Sequence, residues 1–338
     1  MSKPIIITAQ PDDQYFIWQN HLYIESCLEQ GFTQDQIHIL LYKPKYRPTN
    51  YNWNKLKHIY PDINIFFYED NGIQEFLGLY IPVIRPHILW QHFKKYPELQ
   101  RKTIIYTDAD ILWTKNLDIK ELLEDGNCYV SNASSYLNYD YLLNKINNAI
   151  PEKRDRLIEL DYIQGMCDII DINKEIVQNN NHNTGGVQYI LKNINWELWK
   201  KVEEDVLKIR KYLLNINREF FKDENSGIQS WCSDLWTLQW NLWKYNYNTE
   251  VTKKLDFAWA SDNISKLDEY PILHNAGVGD KFMNNIPYFY KGAYHTGNSP
   301  FLDEHLQIVI NNEQSKKHCT WYYTNKLLEL KNKYNIDY

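Results

Sequence analysis

Cysteine is scarce and scattered in this sequence. The five cysteines are an odd number, and no two of them form a C-x-x-C pair. Disulfide frameworks and structural zinc sites need an even set of cysteines or pairs at short spacing. The sequence therefore argues against both, and we expect reduced, partly buried thiols in a cytosolic protein.

Long apolar runs and an excess of positive charge are also missing. No apolar stretch reaches about 18 residues, so no membrane-spanning helix is expected. The N-terminus MSKPIIITAQPDD lacks the long apolar region and small-residue cleavage site of a signal peptide. The net charge of −6 gives no global basic field for a polyanion, although a local basic groove remains compatible with it. We therefore predict a protein without stable membrane insertion, located in the cytoplasm, or in the host cytoplasm if the protein is viral.

Aromatic residues are abundant, with 27 Tyr and 12 Trp in 338 residues. Aromatic rings cover the apolar face of a pyranose, while Tyr hydroxyl and Trp N–H groups supply hydrogen bonds, so this surplus suits a sugar-binding cleft. A biased base composition of the encoding genome explains the same surplus. Composition leaves both interpretations open.

Short apolar segments alternate with helical periodicity in the first third of the chain. Strands are predicted at PIIITA, QIHILLY, INIFFYE and KTIIYTD, with amphipathic helices between them. This rhythm is typical of βαβ units and predicts an α/β fold with a mostly parallel central sheet flanked by helices. No repeat or clear domain boundary is visible, so we predict one elaborated domain. Ligands bind such sheets outside the carboxyl ends of the strands.

Two aspartates follow the fourth predicted strand directly. In IIYTDADILW, Asp108 and Asp110 stand one residue apart between apolar segments. Their carboxylates are hard ligands that suit Mg²⁺ or Mn²⁺, which take further ligands from the phosphates of a substrate. Without a cation, two neighbouring buried carboxylates repel each other. We therefore predict a metal site; the alternative is that one Asp caps the following helix while the other faces solvent.

The segment YTDADILWTKNL resembles the D-x-D segment of GT-A-type glycosyltransferases. HNTGGVQYIL is similar to their Asn-x-Gly turn and strand. RPHILWQHF is similar to the Arg/Lys-Pro helix that precedes the D-x-D in glycogenin-like and hydroxyproline-arabinosyltransferase-like enzymes, and LHNAG is similar to the segment with the late His that often completes the metal site. The resemblance covers roughly Pro4 to Gly277, and the sequence departs from the glycogenin-like pattern by lacking the H-x-x-G-x-x-K-P-W ending. It implies a GT-A-like domain, with a nucleotide-sugar-binding half at 1–135 and an acceptor-side half with the C-terminal helix at 136–338.

The resemblance also implies roles for individual residues. Asp110 would bind the metal, Asp108 the metal, the ribose or both, and His274 would be the third protein ligand. Arg85 would pair with the donor phosphates or the nucleotide. Residues expected to contact the nucleotide sugar are Thr8, Ala9 and Gln10 at the end of the first strand, and Asn183, Gly185 and Gly186 in the NTGG turn. For His274, Arg85 and the NTGG turn, purely structural roles remain open.

Inversion and retention of the anomeric configuration both stay open. For an inverting enzyme, the predicted general base is Asp234 in WCSDLWTLQW, because aromatic residues around it could form the wall of an acceptor pocket. Its alternative role is an N-cap of the following helix, and Glu224 is a second candidate base. Trp231, Trp236 and Trp240 are candidates for stacking on a sugar. Since Trp236 and Trp240 are spaced i, i+4, core packing is the alternative for that pair.

The resemblance and these residues together imply a metal-dependent glycosyltransferase that uses Mn²⁺ or Mg²⁺ and a nucleoside-diphosphate sugar. UDP is the expected nucleotide because it is the commonest partner of the families that the sequence resembles. The acceptor would be a hydroxyl of a glycan, a protein or a modified nucleobase. One alternative is a phage enzyme acting on hydroxymethylated DNA, with basic contributions from KPKYRP and KKYPELQRK. Another is a non-catalytic carbohydrate-binding protein.

Two further enzyme classes are disfavoured. A haloacid-dehalogenase-type phosphatase needs a small hydroxyl residue after its aspartates, whereas Ile111 and Leu112 follow here. A nucleotidyltransferase would carry a Gly-rich basic loop after the first strand, and TAQPDDQYF has neither property.

Overall fold

The computed structural model describes residues 3–76, 78, 80–115, 118–223, 226–277 and 279–336. The fold is α/β, and its main sheet has seven mostly parallel strands flanked by helices, which confirms the predicted fold class. Within the described ranges, no helix combines the length and the apolar character that crossing a bilayer requires.

The strands predicted in the first third of the chain all form. In chain order the strands are β1 (Ile5–Pro11), β2 (Ile37–Lys43), β3 (Asn64–Glu69), β4 (Thr103–Tyr106), β5 (Ile111–Trp113), β6 (Cys128–Asn132), β7 (Gly185–Lys192), β8 (Thr249–Val251), β9 (Phe257–Trp259), β10 (Ile272–His274), β11 (Phe282–Met283) and β12 (Ile286–Pro287).

Helices separate these strands, and several short ones lie between β6 and β7. In chain order the helices are α1 (Gln14–Glu29), α2 (Asn52–Ile59), α3 (Ile84–Lys95), α4 (Ser134–Leu137), α5 (Tyr139–Lys145), α6 (Arg154–Leu160), α7 (Tyr162–Ile170), α8 (Lys174–Asn179), α9 (Trp196–Phe220), α10 (Ser233–Lys244), α11 (Lys266–Glu269), α12 (His305–Asn311) and α13 (Cys319–Tyr334).

The chain divides into two compact units that interleave in sequence. The first unit comprises Lys3–Glu69, Tyr106–Glu121 and Lys253–Tyr338, and the second consists mainly of Asp70–Ile105 and Leu122–Thr252. The functional halves predicted at 1–135 and 136–338 stay a prediction.

In the first unit, β1, β2 and β3 pair in parallel in the order β3-β2-β1. The segment that follows β4 is held beside β1, because the N–H of Thr107 donates to the carbonyl oxygen of Ile7 at 3.1 Å. A smaller sheet follows in the order β5-β10-β9, with β5 and β10 antiparallel. Both aspartates of the D-x-D segment therefore lie in the short connection from β4 to β5.

In the second unit, β6 pairs with β7 antiparallel and with β8 in parallel. Its core is formed mainly by residues of the helices, and Trp236 and Trp240 belong to it with only 1% of their surface exposed. Core packing, the alternative that their i, i+4 spacing offered, is thus confirmed for this pair.

Gly185 begins β7 at a point where β7 lies unusually close to β6. A Cβ added at Gly185 would lie 2.3 Å from the carbonyl oxygen of Ser131 and 2.3 Å from Cγ2 of Val130. The backbone N–H of Gly185 also donates to Oε1 of Gln239 in α10 at 2.9 Å. The glycine at this position is thus explained by strand packing.

We expect Gly185→Ala to destabilise the protein by at least about 2 kcal/mol, because one strand must shift to accommodate the new methyl group. Chemical denaturation would measure this loss. Gly126→Ala is the matched control, since a Cβ there meets no atom within 4 Å. A stability of Gly185→Ala equal to that of the control would show that β7 moves away from β6 at little cost.

Candidate functional site

The D-x-D aspartates lie where the chain passes from the main sheet into the smaller one. Their connection is short because Ile111, directly after Asp110, already pairs with His274 of β10. The N–H of Asn275 donates to the carbonyl oxygen of Asp110 at 3.0 Å, which fixes the backbone of the second aspartate. This antiparallel pairing brings His274 next to an aspartate 164 positions earlier in the chain.

Asp108, Asp110 and His274 form a compact group of possible metal ligands. One ligand atom from each residue lies within 4.8 Å of the others. Nε2 of His274 is 3.3 Å from Oδ1 of Asp110 and 3.9 Å from Oδ2 of Asp108. The three residues predicted as metal ligands are therefore brought together by the fold.

Two aromatic side chains orient His274. The ring of Trp259 stacks on the imidazole of His274, with 5.4 Å between the ring centres. The ring of Phe257 meets the imidazole edge-on, with 5.0 Å between the ring centres. Both residues belong to β9, which pairs with β10 in parallel. The imidazole is thus held in one orientation, as a ligand of fixed geometry requires.

Lys291 is a fourth member of the group. Its ammonium forms an ion pair with Oδ2 of Asp110, and only 12% of its side chain is exposed. Gly277 leaves room for this lysine, because a Cβ on Gly277 would lie 2.6 Å from Cε of Lys291. Burial raises the pKa of Asp110, but the charge of Lys291 and the interaction with His274 outweigh burial, so this pKa lies well below its usual value of 3.8.

The group fits a divalent cation. Oδ1 of Asp110 is buried and faces Nε2 of His274 at 3.3 Å without the geometry of a hydrogen bond, and Nδ1 of His274 is buried without a partner among the described residues. A buried carboxylate oxygen without a donor is costly unless a ligand or a cation supplies the missing interaction. Two carboxylates and an imidazole form a donor set that suits a divalent metal such as Mn²⁺.

Replacing Lys291 by methionine should lower the free energy of unfolding by about 3 kcal/mol at pH 7 in EDTA, because Asp110 would keep a buried charge without its partner. The depressed pKa of Asp110 stabilises the native state above pH 3.8, and this contribution is lost as the pH falls further. Denaturation in urea at several pH values should therefore show a weaker acid dependence for the variant.

Lys281→Met provides the control for this measurement. Lys281 pairs with Asp303 at 2.9 Å in the same unit, but its side chain is 36% exposed, so its removal should cost less than about 1 kcal/mol. Equal losses in both variants would contradict a special role of Lys291 at Asp110.

Thr8, Ala9 and Gln10 lie in β1 and are buried. The hydroxyl of Thr8 donates to Oε1 of Gln10 at 2.8 Å, and Nε2 of Gln10 lies 3.3 Å from Oδ1 of Asn20 in α1. These polar atoms bond within the first unit. Contact of the three residues with a nucleotide stays a prediction.

In the second unit, Asp234 is the centre of a hydrogen-bonded cluster. Oδ2 of its carboxylate accepts a bond from Nη1 of Arg85 at 3.0 Å. Oδ1 lies 2.7 Å from the phenol oxygen of Tyr80, which also accepts a bond from the N–H of Asp234 at 3.1 Å. Asp234 lies in the first turn of α10, where the helix dipole favours a carboxylate, but it is not the cap: the N-cap is Cys232, without a side-chain cap bond.

The NTGG turn is fixed by Gln239 of α10. Nε2 of Gln239 donates to the carbonyl oxygen of Asn183 at 3.0 Å, while its Oε1 accepts from Gly185. Asn183 also lines a polar cleft of about 340 Å³. A Cβ on Gly186 would approach the hydroxyl of Tyr189 to 3.1 Å. These contacts give the turn a structural role, and sugar binding by Asn183, Gly185 and Gly186 stays a prediction.

Sequence reasoning missed Lys291, Tyr80 and the aromatic pair around His274. Lys291 is 181 positions from Asp110, and a lone lysine in FYKGAY carries no recognisable signal. Tyr80 is 154 positions from Asp234. Phe257 and Trp259 stand in the segment FAW, whose aromatic residues favour a strand but do not indicate its pairing with β10. The other candidate base, Glu224, lies outside the described residues.

No protein-family model matches the sequence, and no curated protein matches it. Among solved structures, the chain is similar to the galactosyltransferase LgtC in complex with donor and acceptor sugar analogues, with 11% identity and a TM-score of 0.43, covering 99% of this chain and 98% of LgtC. It is also similar to apo mouse xyloside xylosyltransferase 1, with 10% identity and a TM-score of 0.36, covering 82% of this chain and 98% of that one.

The bifunctional glycosyltransferase WbbM in its apo form is a third similar structure, with 9% identity and a TM-score of 0.42. The match covers 96% of this chain and 51% of WbbM, so the chain spans about half the length of that protein.

Proposed function

We propose that the protein is a metal-dependent glycosyltransferase that moves a sugar from a nucleoside-diphosphate donor to an acceptor hydroxyl. The observation that carries this proposal is the group of Asp108, Asp110 and His274, in which one possible ligand atom from each residue lies within 4.8 Å of the others. The group follows the end of β4 in the sheet of an α/β fold, the edge at which such folds bind their ligands.

The donor set favours Mn²⁺ over Mg²⁺. Mg²⁺ prefers an all-oxygen shell and keeps several waters, whereas an imidazole is a better ligand for transition metals. When bound by Asp108, Asp110 and His274, the cation would act as a Lewis acid that stabilises the charge on the departing diphosphate.

Lys291 would also stabilise the departing diphosphate. Its ammonium already contacts Asp110, and a short movement of its side chain would allow it to bind a phosphate oxygen as a point charge. UDP is the proposed nucleotide, through the family that the sequence resembles.

In the proposed reaction, the bond between the anomeric carbon and the diphosphate oxygen breaks, and a bond to the acceptor oxygen forms. The proton of the acceptor hydroxyl passes to a carboxylate, for which Asp234 is the candidate. Hydrogen bonds from Arg85 and Tyr80 hold that carboxylate in place. Burial and the charge of Asp234 raise the pKa of Tyr80 far above its ordinary value, so this phenol stays a donor.

The decisive experiment incubates the purified protein with a panel of nucleotide sugars in Mn²⁺, in Mg²⁺ or in EDTA, and measures the released nucleoside diphosphate. Metal-dependent release from one donor, stronger with Mn²⁺, is the expected result. The absence of both nucleotide release and a metal-dependent thermal shift with any nucleotide would refute the proposal. The aspartates would then have a structural role.

DNA as the acceptor stays the alternative, although two of its candidate basic residues have partners within the protein. In the two basic segments, Lys43 is paired with Glu69 at 2.9 Å, and Lys94 lies over the ring of Trp196 at 4.9 Å. These cations already have partners within the protein. Salt-sensitive binding of duplex DNA would support that alternative.

A further inference from the structure

Trp231 is the one exposed tryptophan of the protein. All twelve tryptophans lie in the described residues, and 58% of the surface of Trp231 is accessible, whereas the others are buried or half-buried. A large aromatic ring is costly to leave in water. Its exposed ring offers a flat apolar surface beside the Asp234 cluster.

The exposed ring is held rigidly by its neighbours. The carbonyl oxygen of Trp231 lies 2.5 Å from the phenol oxygen of Tyr80, so the one phenol proton serves both this oxygen and Asp234. The ring of Tyr80 contacts the indole edge-on at 5.5 Å. Trp231 and the candidate base thus share one buried tyrosine, which fixes the position of each relative to the other.

Arg210 supports the two rings from α9. Its guanidinium lies 5.3 Å from the centre of the Tyr80 ring and 5.9 Å from that of Trp231. It also donates to the hydroxyl of Ser230, the residue before Trp231. A planar guanidinium over an aromatic ring restricts the ring, and Trp231 stays 58% exposed with Arg210 in place.

We propose that Trp231 is the stacking platform for the acceptor, and that the acceptor is a pyranose of a glycan. This inference rests on the proposed function, because it takes Asp234 as the acceptor-side carboxylate. A pyranose presents an apolar C–H face to the indole and hydroxyls to a neighbouring carboxylate. The indole of Trp231 is exposed, and each oxygen of Asp234, which accepts one bond from Tyr80 or Arg85, keeps a second lone pair for such a hydroxyl.

A sugar fits this surface better than a nucleobase of DNA or a peptide. A base would also stack on Trp231, but its phosphates need cations. The two described cations of the cluster are engaged, Arg85 with Asp234 and Arg210 with Ser230 and the aromatic rings. A peptide would need backbone partners or a pocket for its side chains, and a flat indole supplies neither.

The test compares wild type with Trp231→Ala and Trp231→Phe, using methyl pyranosides and disaccharides as acceptors at saturating nucleotide sugar. We expect at least one saccharide to accelerate nucleotide release, and Trp231→Ala to raise its KM roughly ten-fold, more than the KM for the nucleotide sugar. The ring of Trp231→Phe should recover part of the loss. Tyr245→Ala, with 47% of Tyr245 exposed at the end of α10, is the control and should behave as wild type.

Acceleration by hydroxymethylated duplex DNA or by peptides, and by no saccharide, would overturn the inference. An unchanged KM in Trp231→Ala would do the same. Calorimetric titration of the same saccharides into wild type and Trp231→Ala separates this inference from the proposed function. Trp231-dependent binding without any donor cleavage would retain the platform and refute the transferase, whereas metal-dependent donor cleavage without saccharide binding would refute the platform alone.

Discussion

Asp110→Asn should reduce metal-dependent release of nucleoside diphosphate on the order of a thousand-fold. Asparagine keeps the size of the side chain but removes the negative charge that Lys291 and His274 face at present. A neutral amide is a weak ligand for Mn²⁺ compared with a carboxylate, so the cation would lose the ligand with the buried, unsatisfied oxygen.

The rise in melting temperature on adding Mn²⁺ is the second measurement on this variant. Each protein is compared with its own metal-free form, because Asp110→Asn also breaks the ion pair with Lys291. We expect the metal-induced shift to disappear. Asp118→Asn is the control: this carboxylate lies in the same unit but is 88% exposed, and its change should leave both readouts intact. A full metal shift in Asp110→Asn would contradict its role as a ligand.

The position of the D-x-D aspartates could be predicted because it depends on local pattern. Apolar residues of β4 lead directly to Asp108 and Asp110, and alternating strands and helices place this point at the end of a parallel strand. Both are short-range features of the sequence. The predicted strands and helices of the first third formed for the same reason.

The contacts of the aspartates with His274 and Lys291 join residues far apart in the sequence, and the periodicity of apolar residues does not encode such contacts. His274 reaches Asp110 only because β10 pairs antiparallel with β5 in a separate small sheet. Resemblance to a family pointed to His274, whereas composition and spacing alone did not. Lys291 had neither signal, and its contact needs the empty space at Gly277.

Gly185 shows how one signal can have two origins. A glycine in a turn predicted close approach of the backbone to a ligand. The structure shows a close approach to Ser131 and Val130 of the neighbouring strand, which accounts for the glycine, while contact with a sugar stays a prediction. Sequence specifies that a Cβ is not tolerated there, whereas only the fold identifies the atom that excludes it.

Asp234→Asn should lower the rate of sugar transfer roughly 10²- to 10⁴-fold, the range expected when a general base is removed. The amide retains an oxygen for the hydroxyl of Tyr80 but has little affinity for a proton, so the geometry persists while the chemistry is lost. Tyr80→Phe removes one hydrogen bond to the same carboxylate and should have a smaller effect, roughly ten-fold, because it disturbs position only.

Steady-state kinetics with a working acceptor would test this role of Asp234, alongside Asp171→Asn as the control. Asp171 is a carboxylate of the same unit that pairs with Lys244 but is 88% exposed. A general base acts on the acceptor proton, so Asp234→Asn should lower kcat while the metal-induced thermal shift stays as in wild type. The anomeric configuration of the product, followed by NMR, should be inverted relative to the donor. A retained configuration with a kcat close to that of the control would assign Asp234 a structural role, as the residue that joins Arg85 and Tyr80 to the start of α10.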